Sequence, residues 1–168
     1  MGPLAKGGAG VVNVCAMPPA LIIYTDRVLG PRAGGDTRAF VIFIRPKYRG
    51  DVGMRMHELQ HVRQWWTGCA IGFLFGQLWA WTYPLLMPWW EWLTYCAVLG
   101  GTAHELLYYF VRRYRMWGEA QAYREQMRHP DRNGNLLTLD GAAARLADEG
   151  LYHLGITVDQ ARGVIRAG

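Results

Sequence analysis

At 168 residues the chain has the length of one domain, so a functional site has to be built from a single compact unit and a multidomain architecture is excluded. Its composition, 51% apolar, 13% aromatic and 18% charged, excludes a disordered or acidic solvating segment. The net charge of +5 comes with no basic run denser than Arg112-Arg113 with Arg115 close by, which speaks against a nucleic-acid partner.

Residues 1 to 18 read as an irregular lead-in with one short strand at Val11 to Cys15. Pro18-Pro19 and the glycines from Gly7 to Gly10 interrupt any apolar core, so no signal peptide is expected. Cys15, Cys69 and Cys96 are odd in number and widely spaced, which suggests neither a disulfide framework nor a thiolate cluster. A reducing setting, cytoplasmic or virion-associated, follows as the expectation.

Leu21 to Leu29 and Ala39 to Ile44 are β-branched and aromatic runs separated by Gly30-Pro31 and Gly34-Gly35, the pattern of an antiparallel strand pair. From Asp51, a candidate N-cap, to about Trp66 there is no proline, and Val52, Met56, Leu59, Val62 and Trp66 recur at helical spacing. This predicts an amphipathic helix. Gly68 to Ala103 then holds one formal charge, Glu91, and five tryptophans, with Pro84 and Pro88 breaking it in the middle. Thr102 to about Arg128 reads as one helix, or as two abutting at Gly118, ending before His129-Pro130. Two shorter helices are predicted over Thr138 to Glu149 and Thr157 to Arg166, with threonine N-caps and Gly150 ending the first.

The chemistry lies in His57-Glu58-Leu59-Gln60-His61, an H-E-x-x-H inside the first helix. Residues i and i+4 sit about 40° apart on one helical face, so both imidazoles reach one tetrahedral Zn²⁺, while Glu58, one step round, is placed as general base. The apolar stripe centres opposite the two histidines, so the core face and the metal face do not compete. A catalytic zinc takes a third protein ligand and keeps a fourth position open. Gln64 and Thr67 occupy the positions where a metzincin needs glycine and a third histidine, so that subclass is excluded. His104, Glu105, Glu91, Glu119 and Glu125 remain as candidates. If one helix carries both Glu105 and Glu119 they lie about 21 Å apart along its axis, so only one meets the metal. Glu119 is preferred, because Ala120 and Ala122 permit close helix packing and Tyr123, four residues on, is aimed to donate to an oxyanion.

Ala39 to Ile44, then Met56-His57-Glu58-Leu59-Gln60-His61-Val62-Arg63-Gln64-Trp65, and later Glu119 with Ala122-Tyr123, resemble the small HExxH metallopeptidases of gluzincin type found in bacterial and phage genomes. The resemblance covers about residues 20 to 128. It implies His57, His61 and Glu119 as zinc ligands, Glu58 as base, and Ala39 to Ile44 as the edge strand that pairs with an extended polypeptide substrate.

The expected fold is therefore α+β and zincin-like: a small antiparallel sheet on the HExxH helix, followed by a mainly helical, tryptophan-rich half. Residues 1–134 form the metallopeptidase domain, with an apolar helical hairpin at about 68–111, and 135–168 a small helical extension. The hairpin reads either as a membrane-associated element or as a buried core or partner-binding surface; Gln77, His104, Glu105 and a mean hydropathy of −0.03 weigh against the bilayer. The rival to a zinc metallopeptidase is a non-catalytic virion or assembly protein that keeps the zinc-binding fold.

Overall fold

The computed structural model describes residues 18–83 and 87–167. The strand expected at Val11 to Cys15 lies outside the described residues. The architecture is α+β, with three strands among the described residues, β1 (Leu21–Tyr24), β2 (Gly35–Arg38) and β3 (Val41–Ile44), followed by α1 (Val52–Thr82), α2 (Trp89–Phe110), α3 (Arg112–Gln126), α4 (Leu139–Leu146), α5 (Glu149–Tyr152) and α6 (Val158–Arg166).

The sheet is mixed, not antiparallel. Its order is β1-β3-β2, with β1 parallel and β2 antiparallel to β3. Gly35-Asp36-Thr37-Arg38, expected as loop because it carries no apolar alternation, forms β2 by backbone pairing alone. That extra strand reverses the chain once more and leaves β1 and β3 pointing the same way. It also corrects the edge-strand expectation for Ala39 to Ile44: β3 is central, and β2 supplies an edge.

Alternation on β3 turns Ile42 and Ile44 inward, where they pack on Met56, Leu59 and Val62 of α1 with Val52 and Trp66 at the margin. This is the predicted helical stripe, and each such buried aliphatic side chain contributes about 1.5–3 kcal/mol. Asp51 caps α1 as expected, its carboxylate accepting from the Met54 N–H at 2.7 Å.

α1 does not end near Trp66 but continues for a further four turns and pairs with α2 as a hairpin. The residues on the seam are small: a Cβ on Gly68 would lie 2.8 Å from the Gly100 carbonyl, and one on Gly76 would lie 2.9 Å from that of Trp92. Among the described residues no helix is long and apolar enough to cross a membrane. The hairpin is not a buried core either, since Trp81, Trp89 and Phe110 are 85%, 67% and 81% exposed.

The helix break falls at Val111, in an extended conformation between α2 and α3, and not at Gly118. Glu105 and Glu119 therefore belong to different helices, and the single-helix distance argument does not hold. Beyond α3, α4 ends at Leu146 rather than running to Glu149, and Gly150 falls within α5. Thr138 and Thr157 cap α4 and α6 as predicted. These helices share a core with α3, with Ala142, Ala143, Leu146, Leu154 and Ile165 enclosing Ala120 and Tyr123. Arg124 on α3 donates to the carbonyls of Ile165 and Val164 at 2.6 and 2.8 Å, which satisfies the end of α6.

The hairpin seam generates a paired test. In Gly72→Ala the new methyl runs into the Cys96 backbone carbonyl, so the helices have to separate, and a loss of about 1–3 kcal/mol is expected in chemical denaturation. Gly163→Ala, on α6 with nothing within 4 Å, is expected to gain about 0.5–1 kcal/mol from helix propensity.

Candidate metal centre

α1 carries the two histidines on the side away from the sheet, where α3 crosses it. His57 Nε2 lies 3.4 Å from Glu119 Oε2, and His61 Nε2 lies 3.4 Å from Glu119 Oε1. Donor atoms of the three residues all fall within 4.8 Å of one another. Glu119 is 1% exposed and His57 5%, so the cluster is sealed from bulk water on most sides.

At the crossing α3 presents Gly118, where a Cβ would come within 3.3 Å of the Gln64 side-chain oxygen. Of the two alanines expected to permit close helix packing, Ala120 lies in the core shared with the C-terminal helices, while Ala122 is fully buried outside that core. Of the other ligand candidates, Glu105 Oε1 accepts from the Ala39 N–H at 3.0 Å and Glu125 pairs with Arg63 and Arg128. His104 bonds the Tyr114 hydroxyl at 2.8 Å through Nδ1. Glu91 sits in the first turn of α2, at the far end of the hairpin.

The donor set fits a borderline-soft divalent ion such as zinc: two imidazole nitrogens and one carboxylate. Two further observations support the fit. Glu119 Oε2 is buried with no hydrogen-bond partner among the described residues, a costly arrangement for a carboxylate unless a cation meets it. And the tautomer of His61 is fixed by its neighbours. Gln64 Nε2 donates to the Gly118 carbonyl and to Gln121 Oε1, both at 3.1 Å, so its Oε1 is the atom that faces His61 Nδ1 at 3.1 Å. Nδ1 then carries a hydrogen and donates it, so Nε2 is the ring atom that faces the cluster.

Charge coupling at the cluster is strong. Burial alone would lower the His61 imidazole, but the Glu119 carboxylate outweighs it and carries its pKa up to about 9. Burial likewise opposes ionisation of Glu119, yet His61 and His57 hold its carboxyl well below the usual carboxylate range. Burial pushes Glu58 up, against the pull of both histidines.

Glu58 faces β2. Thr37 Oγ1 donates to Glu58 Oε2 at 2.7 Å, and Gly35 leaves the space its carboxylate occupies. All four residues open on a cleft of about 610 Å³ walled by β2, α1, α2 and α3. Tyr123 lines it too, with its ring centroid 4.7 Å from that of His57 in an edge-on arrangement and its hydroxyl 2.8 Å from the Tyr152 hydroxyl.

Four participants were not found by sequence reasoning. Gln64 was noted for not being glycine and as part of the segment that carries the resemblance, with no role assigned, although its place three residues after His61 is the signal for a side chain that reaches the imidazole. Tyr108, whose hydroxyl donates to Glu119 Oε1, comes from α2; Thr37 comes from a segment without strand pattern, and Tyr152 from a segment assigned no role. None of these three carries a local signal. No family model, curated protein or solved structure matches the chain.

The geometry predicts an order of metal affinities in titrations with zinc. Glu119→Ala is expected to abolish stoichiometric binding, Gln64→Leu to weaken it by about 10–100-fold through loss of the His61 hydrogen bond, and Glu105→Ala to leave it unchanged.

Proposed function

We propose that the chain is a zinc-dependent metallopeptidase. The observation that carries this reading is the convergence of His57, His61 and Glu119, from two helices far apart in sequence, beside a Glu58 held by Thr37 on the same cleft.

His57 Nε2, His61 Nε2 and the Glu119 carboxylate would hold the ion. Zinc, when bound, supplies a Lewis acid for the scissile carbonyl and brings the pKa of a water toward about 7. Glu58 takes a proton from the attacking water onto its carboxylate and hands it to the leaving amine. Its raised pKa suits that shuttle, because a base nearer the working pH both accepts and releases. The Thr37 hydroxyl fixes the carboxylate while this happens. β2 runs along the cleft as an edge of the sheet, so an extended polypeptide pairs with its backbone there. Tyr123, steadied by Tyr152, is the hydroxyl donor for a developing oxyanion. The exposed hairpin favours one second reading, a non-catalytic assembly protein with the same metal site; the two differ in hydrolysis.

Glu58→Gln separates them. It should keep zinc by elemental analysis and slow cleavage of a denatured test protein by about 10²–10⁴-fold; unchanged turnover refutes the catalytic reading. Gly35→Ala tests the position of the base independently. Its methyl would lie 2.8 Å from Glu58 Cδ, so the carboxylate has to swing away. A drop in kcat with zinc and thermal stability retained is expected, and an unchanged kcat would show that Glu58 does not act from this position.

A further inference from the structure

The hairpin is packed inside out for a protein in water. From Ala70 to Tyr83 the buried residues of α1 are Gly72 and Gly76, and along α2 they are Leu93, Gly101 and His104. A helical hairpin in water normally gains its stability by enclosing large apolar side chains. Here Gly68, Gly72 and Gly76, spaced four apart, put backbone against backbone, while Leu74, Phe75, Leu78, Trp81 and Leu99 point outward and are more than half exposed. That is the packing of helices whose surroundings are themselves apolar, where close contact at small residues holds the pair together.

The threonines follow the same logic. Between Arg63 and Glu105 the sole formal charge is Glu91. The hydroxyls of Thr67, Thr82, Thr94 and Thr102 are exposed, yet each donates to the carbonyl four residues earlier at 2.8–2.9 Å, so none of them needs water. Trp79, Trp81, Trp89 and Trp90 crowd the tip, and exposed Arg112 and Arg113 stand where α2 ends. Apolar length closed off by arginines complements acyl chains beneath anionic headgroups.

We propose that the α1–α2 hairpin is a membrane-binding element that inserts tip first among the acyl chains of a bilayer with anionic headgroups, without crossing it. Its outward apolar arm on α1, Ile71 to Thr82, is about 18 Å long against a hydrocarbon core of about 30 Å, which sets insertion apart from spanning. His104, Glu105 and Tyr108 on α2 line the cleft just past the inserted part, so the cleft sits at the membrane surface. The inference stands whether or not the cleft hydrolyses peptides.

The test is flotation of the full chain with phosphatidylcholine vesicles, with and without phosphatidylglycerol, and quenching of tryptophan emission by lipids brominated on their acyl chains. Co-flotation with quenching is expected, stronger with phosphatidylglycerol. Trp81→Glu combined with Trp89→Glu should reduce vesicle binding by about tenfold or more, with circular dichroism and zinc content unchanged, because both side chains project away from the fold. Three results would each overturn the proposal: a chain that stays unbound with unquenched tryptophans; binding that salt releases and that never quenches; or a discrete oligomer in lipid-free buffer that ignores vesicles, which would make a second copy the occupant.

Discussion

A carboxylate that is 1% exposed has to be met by cationic or hydrogen-bonding groups, and Glu119 is met by two imidazole nitrogens at 3.4 Å and by the Tyr108 hydroxyl. Much of the fold follows from that requirement. α3 has to cross α1 closely, with Gly118 set against Gln64; α2 has to stop at Val111 so that the chain turns back to make the crossing. The outer face of α3 then needs its own cover. The C-terminal helices provide it, enclosing Ala120 and bringing Tyr152 to the Tyr123 hydroxyl.

Around this cluster the supporting groups divide the work. Gln64 orients His61, Thr37 orients Glu58, and the ring of Tyr123 packs on His57. Each supporting residue comes from a different element or a different turn of α1, so the rigidity of the site derives from the assembled fold and not from the H-E-x-x-H turn itself. α1 also performs two tasks along its length. Its first four turns are packed between the sheet and α3, and its last four stand out with α2 as an apolar hairpin. Because the helix is continuous, whatever holds the hairpin also sets the orientation of the cleft.

The sequence by itself determined what depends on neighbours within a few turns. Asp51, the stripe of Val52, Met56, Leu59 and Val62, and the spacing of His57 and His61 define the first half of α1 because capping and 3.6-residue periodicity are local. The threonine caps of α4 and α6 were legible for the same reason. Glu119 was legible less directly: the choice among five candidates agrees with the cluster, although Ala120, one of the two alanines argued for it, packs toward the C-terminal helices.

Only the tertiary structure decided the rest. Gly35 to Arg38 has no strand pattern and is a strand because β3 offers it hydrogen bonds, and with it the sheet changes from antiparallel to mixed. α1 runs past Trp66 because glycines that look like breakers in sequence are the contact surface for α2. Val111 carries no cap, proline or glycine, so nothing local marks the break that brings Tyr108 and Glu119 together. Pairing, close backbone approach and the compensation of a buried charge are relations between segments distant along the chain, and spacing within one segment does not encode them.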